Sequence, residues 1–138
     1  CYLNSLLQAL FVSDEVREEI FRFEYSGKVL HGPAEACVPL QLAKLFCALQ
    51  HSHRHSLSTR SITASFGWTQ ADSFRQHDVQ ELCRVLFEAV GKFGVPLLRL
   101  FEGRQRDEVR CSNCGYSRTH EEPFGDLALD IEQNDSVV

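Results

Sequence analysis

Cys1 opens the stretch CYLNSLLQALF, where Leu3, Leu6, Leu7 and Leu10 recur at the three-and-four spacing of one helical face. A thiol at the start of a helix meets unpaired backbone N–H groups and the positive end of the macrodipole. Both favour thiolate, the reactive form of cysteine. The plainer reading is an ordinary buried cysteine, the common fate of free thiols. A thiolate nucleophile also wants a general base beside it, usually an imidazole oriented by Asn or Asp. None of the six histidines has a context that assigns it this role.

A second constellation is RQHDVQEL, where Asp78 and Glu81 are three residues apart and so lie near each other on a helix. The local reading is a capping box, with Asp78 accepting from the backbone near Glu81 and Glu81 reaching back. Residues at a helix start also line clefts, and Gln76 with Asp78 could face a basic extended peptide. The two roles can coexist.

RCSNCGY places Cys111 and Cys114 two residues apart, followed by Gly115. That spacing lets two thiolates reach one zinc ion, and glycine permits the tight turn. It is half of a tetrahedral site, since no second Cys-x-x-Cys follows and His120 alone does not complete the set. A metal-free turn is the alternative; a thioredoxin-like redox pair fits less well, because that motif opens a helix. HSHRH puts His51, His53 and His55 at alternate positions, which on a strand would share a face and could bind metal. They follow a helix end among serines, which favours solvated loop histidines.

These residues need elements to position them. After the first helix, SDEVREEIFRF offers Ser13 or Asp14 as a cap and Val16, Ile20 and Phe23 as an apolar stripe. Residues 26 to 36 hold two glycines and a proline without periodicity and read as a loop. CVPLQLAKLFCALQ puts Val38, Leu42, Leu45, Phe46 and Leu49 on one face of a third helix. TRSITASFGW predicts a short helix capped by Thr59 and stopped at Gly67. The strongest periodic segment runs from Asp78 to about Phe93, with Val79, Leu82, Leu86, Ala89, Val90 and Phe93 as its buried arc and Gly94 and Pro96 closing it. From Leu98 onward, short apolar stretches flank the CSNCGY turn. DLALDIE alternates Leu127, Leu129 and Ile131 with other residues, a strand pattern.

The 138 residues, 43% hydrophobic and 24% charged, suit one globular domain with a modest core. A chain with no methionine that begins on Cys1 reads as part of something longer. The net charge of −5 argues against a nucleic-acid surface and fits a partner with a basic contact region. The longest apolar run is far shorter than the ~20 residues of a membrane span. Cys37, Cys47 and Cys83 fall within helical patterns, which looks like reduced, intracellular usage.

Taken together, CYLNSLLQALF, SFGW, RQHDVQELCRVLFEAV, LFEG and VRCSNCGY with DLALDI resemble the ubiquitin-specific protease family, in this order and over nearly the whole chain. The first segment resembles the family's cysteine box from its nucleophile onward. Residues 76 to 82 resemble its Gln-Gln-Asp-x-x-Glu-Phe/Leu motif, with His77 in place of the second Gln and Leu82 at the last position. The resemblance implies an α+β, papain-like cysteine protease fold, here a helical thumb over 1–94 and the start of a palm and β-finger ribbon over 95–138. It implies hydrolysis of the isopeptide, peptide or thioester bond after the C-terminal glycine of ubiquitin.

By that likeness Cys1 is the nucleophile, Gln76, Asp78 and Glu81 serve substrate binding, and Cys111 with Cys114 are half of a structural zinc site. No cofactor is implied for catalysis. The partners implied are ubiquitin and ubiquitinated proteins, with no nucleic acid and no membrane, and the location is the cytoplasm, the nucleus or both. The family's asparagine before the nucleophile and its histidine box lie outside this sequence, so the chain alone is expected to be inactive. Two other readings are a catalytically silent ubiquitin-binding scaffold and an N-terminal-nucleophile amidohydrolase whose α-amine at Cys1 acts as base.

Overall fold

The computed structural model describes residues 2–67 and 78–126. They fall into two compact units divided between Leu100 and Phe101. The first is helical. Helix α1, Tyr2–Val12, buries Leu3, Leu6, Leu7 and Leu10 on the face that the leucine spacing predicts. Helix α2, Asp14–Phe21, buries Val16 and Ile20. Ser13 stands at its N-cap, but its hydroxyl donates to Glu15 Oε2 at 3.1 Å and makes no capping bond to the backbone. The Glu15 carboxyl is held below its usual range, first by its own backbone N–H and then by Ser13.

Residues 26 to 36 are not the plain loop that their glycines and proline suggest. They hold a single helical turn α3, Lys28–His31, and a 3-10 turn, Ala34–Ala36. Gly27 and Gly32, at φ of +92° and +70°, bracket α3 in a backbone region costly for any other L-residue. The turn is held by side chains without sequence periodicity. His31 Nδ1 accepts the Ser26 N–H at 3.0 Å, the Tyr25 hydroxyl donates to the Gly32 carbonyl at 2.7 Å, and the His31 ring packs 5.1 Å from Phe23.

Helix α4, Val38–His51, carries Pro39 in its first turn, where the missing N–H costs nothing, and buries Val38, Leu42, Leu45 and Phe46. Gln41, only 7% exposed, donates from Nε2 to the Ala34 carbonyl at 2.6 Å and so ties the 3-10 turn to the helix. Helix α5, Arg60–Ser65, follows Thr59 and buries Ile62. Gly67 at φ +73° ends it, its N–H reaching the Ala64 carbonyl at 2.9 Å.

Helix α6, Val79–Gly91, buries Leu82, Leu86, Phe87 and Val90. The burial departs from the predicted arc at both margins. Val79 is 48% exposed because the buried stretch begins only at Leu82, so the first turn stands off the core, whereas Phe87 joins it. The core of this unit unites α1, α2, α4, α5 and α6 and runs past Gly94 to Val95 and Leu97. The Phe11 and Phe46 rings, 5.5 Å apart, link α1 to α4 within it. Among the described residues no helix is long and apolar enough to cross a membrane.

A single turn α7, Leu98–Phe101, stands at the boundary. The second unit is an antiparallel ribbon of β1, Gly103–Arg110, and β2, Ser117–Phe124, in continuous register from Gly103 opposite Phe124 to Arg110 opposite Ser117. Its strands are charged, not the apolar stretches expected. Alternation places Gln105, Asp107 and Val109 with Arg118, His120 and Glu122 on one face, and Arg104, Arg106, Glu108 and Arg110 with Thr119 and Glu121 on the other. Arg106 meets Glu121 through Nε and Nη2 at 2.8 and 2.6 Å. At the base the Phe124 ring lies over Gly103, where a Cβ would stand 2.5 Å from the ring. The strand predicted around Leu127, Leu129 and Ile131 lies outside the described residues.

Candidate functional site

Cys1 and Gln76 lie outside the described residues. What the structure gives is the helices that follow them in sequence, since α1 begins at Tyr2 and α6 at Val79, and these two helices pack against each other. Both face the core with aliphatic side chains, so the segments bearing the candidate chemistry each lead into a fixed element.

Asp78 is the N-cap of α6, with extended φ and ψ of −64° and 130°. Its Oδ1 accepts the Gln80 N–H at 2.9 Å. This satisfies one of the four donors that a helix start leaves open. The bond goes to the second residue of the helix, not the third, and among the described residues Glu81 makes no return bond to the Asp78 N–H. The predicted capping box is therefore a single-armed cap. Asp78 and Glu81 are both exposed within the first turn, so two carboxylates stand together at the positive end of the helix with solvent access. Such a pair can receive a basic group.

Cys111 and Cys114 come together in the ribbon's turn, both exposed. The Cys111 N–H donates to the Tyr116 carbonyl at 2.8 Å, and the Gly115 N–H to the Cys111 carbonyl at 3.1 Å. Gly115 at φ +73° makes the reversal. Three donors converge on the Cys111 sulfur: the backbone N–H of Cys114 first, then that of Asn113, then the Cys114 thiol. They hold the Cys111 thiol below the ordinary cysteine range. The sequence names the two thiols but not Asn113; its signal is the Cys-Ser-Asn-Cys-Gly order, which aims successive N–H groups at the first sulfur.

Two neighbouring sulfurs, one with its thiol held below the ordinary cysteine range, fit half of a tetrahedral zinc set. Among the described residues no group of three His, Cys, Asp or Glu is placed to hold an ion. His120 does not join the thiols. It sits across the ribbon from Asp107 with Nε2 4.0 Å from Glu122 Oε2. Of the other histidines, His51 ends α4 and His53 and His55 follow in the loop; all three are exposed and do not share a strand face.

The sequence model of the family described as ubiquitin carboxyl-terminal hydrolase matches residues 1–133. Ubiquitin carboxyl-terminal hydrolase 47 of Drosophila melanogaster is 39% identical over 137 residues, covering 95% of this chain and 8% of that protein. The Homo sapiens protein of the same name is 38% identical, over 95% of this chain and 10% of its own. Ubiquitin C-terminal hydrolase 13 of Arabidopsis thaliana is 39% identical, over 96% and 12%. The chain thus spans about a tenth of the length of these relatives. Its helical unit and β ribbon are the α+β arrangement of a papain-like fold, and the chain belongs to the ubiquitin carboxyl-terminal hydrolase family.

Proposed function

We propose that the parent protein is a deubiquitinating cysteine protease, which hydrolyses the isopeptide, peptide or thioester bond after ubiquitin's C-terminal glycine. The observation that carries this reading is the family match from residue 1 to 133, which takes in Cys1, the Gln76–Asp78–Glu81 segment and the Cys111–Cys114 turn together. In this reading the Cys1 sulfur attacks the glycine carbonyl carbon, and the leaving amine or thiol takes a proton from a histidine supplied by the rest of the catalytic domain. Backbone N–H groups hold the oxyanion that forms on the carbonyl oxygen. Asp78, already oriented by its cap, and Glu81 bind basic side chains of the extended ubiquitin tail, and Gln76, two positions earlier in the sequence, is assigned to the same role. Cys111 and Cys114 contribute half of a structural zinc site that would pin the ribbon's turn. A location in the cytoplasm or nucleus is proposed with it, supported by the placing of Cys37, Cys47 and Cys83 within helical patterns and of Cys111 and Cys114 at metal-ligand spacing.

The test is to treat the full-length parent with ubiquitin carrying a thiol-reactive group at its C-terminus and to read intact mass and peptide maps. An adduct on Cys1 that requires folded protein supports the reading. Binding without an adduct points instead to a silent ubiquitin-binding scaffold, and an adduct on another cysteine removes Cys1 from the role.

A further inference from the structure

From Cys37 to Ala71 the chain holds no aspartate or glutamate, although it has 19 of them and a net charge of −5. The same span contains Lys44, Arg54 and Arg60 together with His51, His53 and His55. Residues 1–13 carry no acid either. These two acid-free stretches meet at a cavity of about 270 Å³ between Asn4, Leu7 and Gln8 of α1 and the last turns of α4 with the loop after it.

The cavity's lining sorts by exposure. Leu7 and Leu45 are buried and Leu49 is half-buried, which makes an apolar floor, whereas Arg54, His55 and Ser56 are exposed around it. The hydroxyls of Ser52 and Thr59 and the amide side chains of Asn4 and Gln8 complete the polar wall. Among the described residues no carboxylate lines it. Arg17, Arg22 and Arg106 each have an acidic partner, and among the described residues Arg54 has none. The loop that presents Arg54 is itself shaped by the Arg54 N–H donating to Ser52 Oγ at 3.1 Å.

A guanidinium fork backed by hydroxyl and amide donors suits a head group with several acceptor oxygens, and the absence of carboxylates removes the repulsion such a group would meet elsewhere on this acidic chain. Leucines beneath it suit a short organic body. We propose that this cavity is a binding site for a small phosphomonoester, with the phosphoryl oxygens on Arg54 and the neighbouring donors and the organic group over Leu7, Leu45 and Leu49. The lining named here includes none of the residues assigned to ubiquitin hydrolysis, and the proposal does not depend on that reading.

The experiment is calorimetric titration of the full-length parent with phenyl phosphate at low ionic strength, with inorganic phosphate and phenol in parallel. Phenyl phosphate is expected to saturate one site, and each of the other two to bind at least about tenfold more weakly. Arg54→Gln should weaken phenyl phosphate at least about tenfold without lowering the melting temperature, since the side chain is exposed, and Arg54→Lys should fall between. A second variant, Thr59→Val, removes one wall hydroxyl and should weaken binding several-fold. Lack of saturation by phenyl phosphate, affinity unchanged in Arg54→Gln, or equal affinity for inorganic phosphate overturns the proposal.

Discussion

Asp78 accepts the backbone N–H of Gln80 at 2.9 Å while remaining exposed at the start of α6. One carboxylate thus closes a helix end and stands where a ligand can reach it. The cap fixes the carboxylate's direction, because the bond to the helix can form only with the side chain folded over the first turn. A group held this way loses less rotamer freedom when it binds a cation than a free aspartate would.

The two roles of Asp78 separate by substitution. Asp78→Asn keeps an oxygen for the Gln80 N–H and should leave stability within a few tenths of a kcal/mol, while Asp78→Ala should cost about 1 kcal/mol. If the charge receives ubiquitin's basic tail, both variants weaken ubiquitin binding in the parent protein by a similar factor. Urea unfolding and a ubiquitin titration together check this. An affinity loss that tracks the stability loss would leave Asp78 with a structural role alone.

Cys1→Ala in the parent protein should abolish hydrolysis of a fluorogenic ubiquitin conjugate and leave ubiquitin binding intact, because the thiol is needed for bond formation and not for recognition. Turnover above the buffer rate in this variant would end the nucleophile assignment.

Gln41 is the buried polar residue that ties α4 to the Ala34–Ala36 turn. Gln41→Leu keeps the volume but leaves the Ala34 carbonyl with only the longer bond from the Cys37 N–H at 3.4 Å, and should destabilise the protein by about 1 kcal/mol. Amide exchange should speed up in residues 34–37 before it does elsewhere in the helical unit. Uniform acceleration would mean that the bond supports the whole unit equally.

The donors on the Cys111 sulfur favour its thiolate, so its folded pKa lies below that of the unfolded chain. Whatever this contributes to folding is present above the unfolded pKa and is lost as pH falls through the folded one. For metal-free protein, the pH of half-maximal iodoacetamide labelling at Cys111, read by peptide mass, should be lower in the native state than in urea. Coincident profiles would show that the turn does not hold the thiolate.

How much of this was legible before the fold was seen depends on what each element rests on. Helices α1, α2, α4 and α6 are written in apolar periodicity, because each presents one face to a shared core. The α3 turn was not, since it rests on His31 packing with Phe23 and Tyr25 and on two glycines whose positive φ gives no periodic signal. Phe87 carries little periodic signal because it sits at the margin of the arc set by Leu82, Leu86 and Val90. The ribbon was legible only at its turn. Cys-x-x-Cys-Gly signals a reversal, but strands with no buried face carry no alternation to read. At the site, the paired thiols and the Asp78 cap could be read from spacing, whereas Asn113 acts through its backbone and has no side-chain signature.

The charge on the ribbon has a consequence for solubility. Among the described residues β1 and β2 pair only with each other, so each has an outer edge of backbone donors and acceptors that could template another chain. A flat apolar hairpin in that position would invite edge-to-edge aggregation. Arg104, Arg106, Asp107, Glu108, Arg110, Arg118, Glu121 and Glu122 place charges along both strands, and a second ribbon approaching either edge would have to desolvate or pair them. The strands' charged composition, unhelpful for building a core, keeps an exposed β element from joining its own copies.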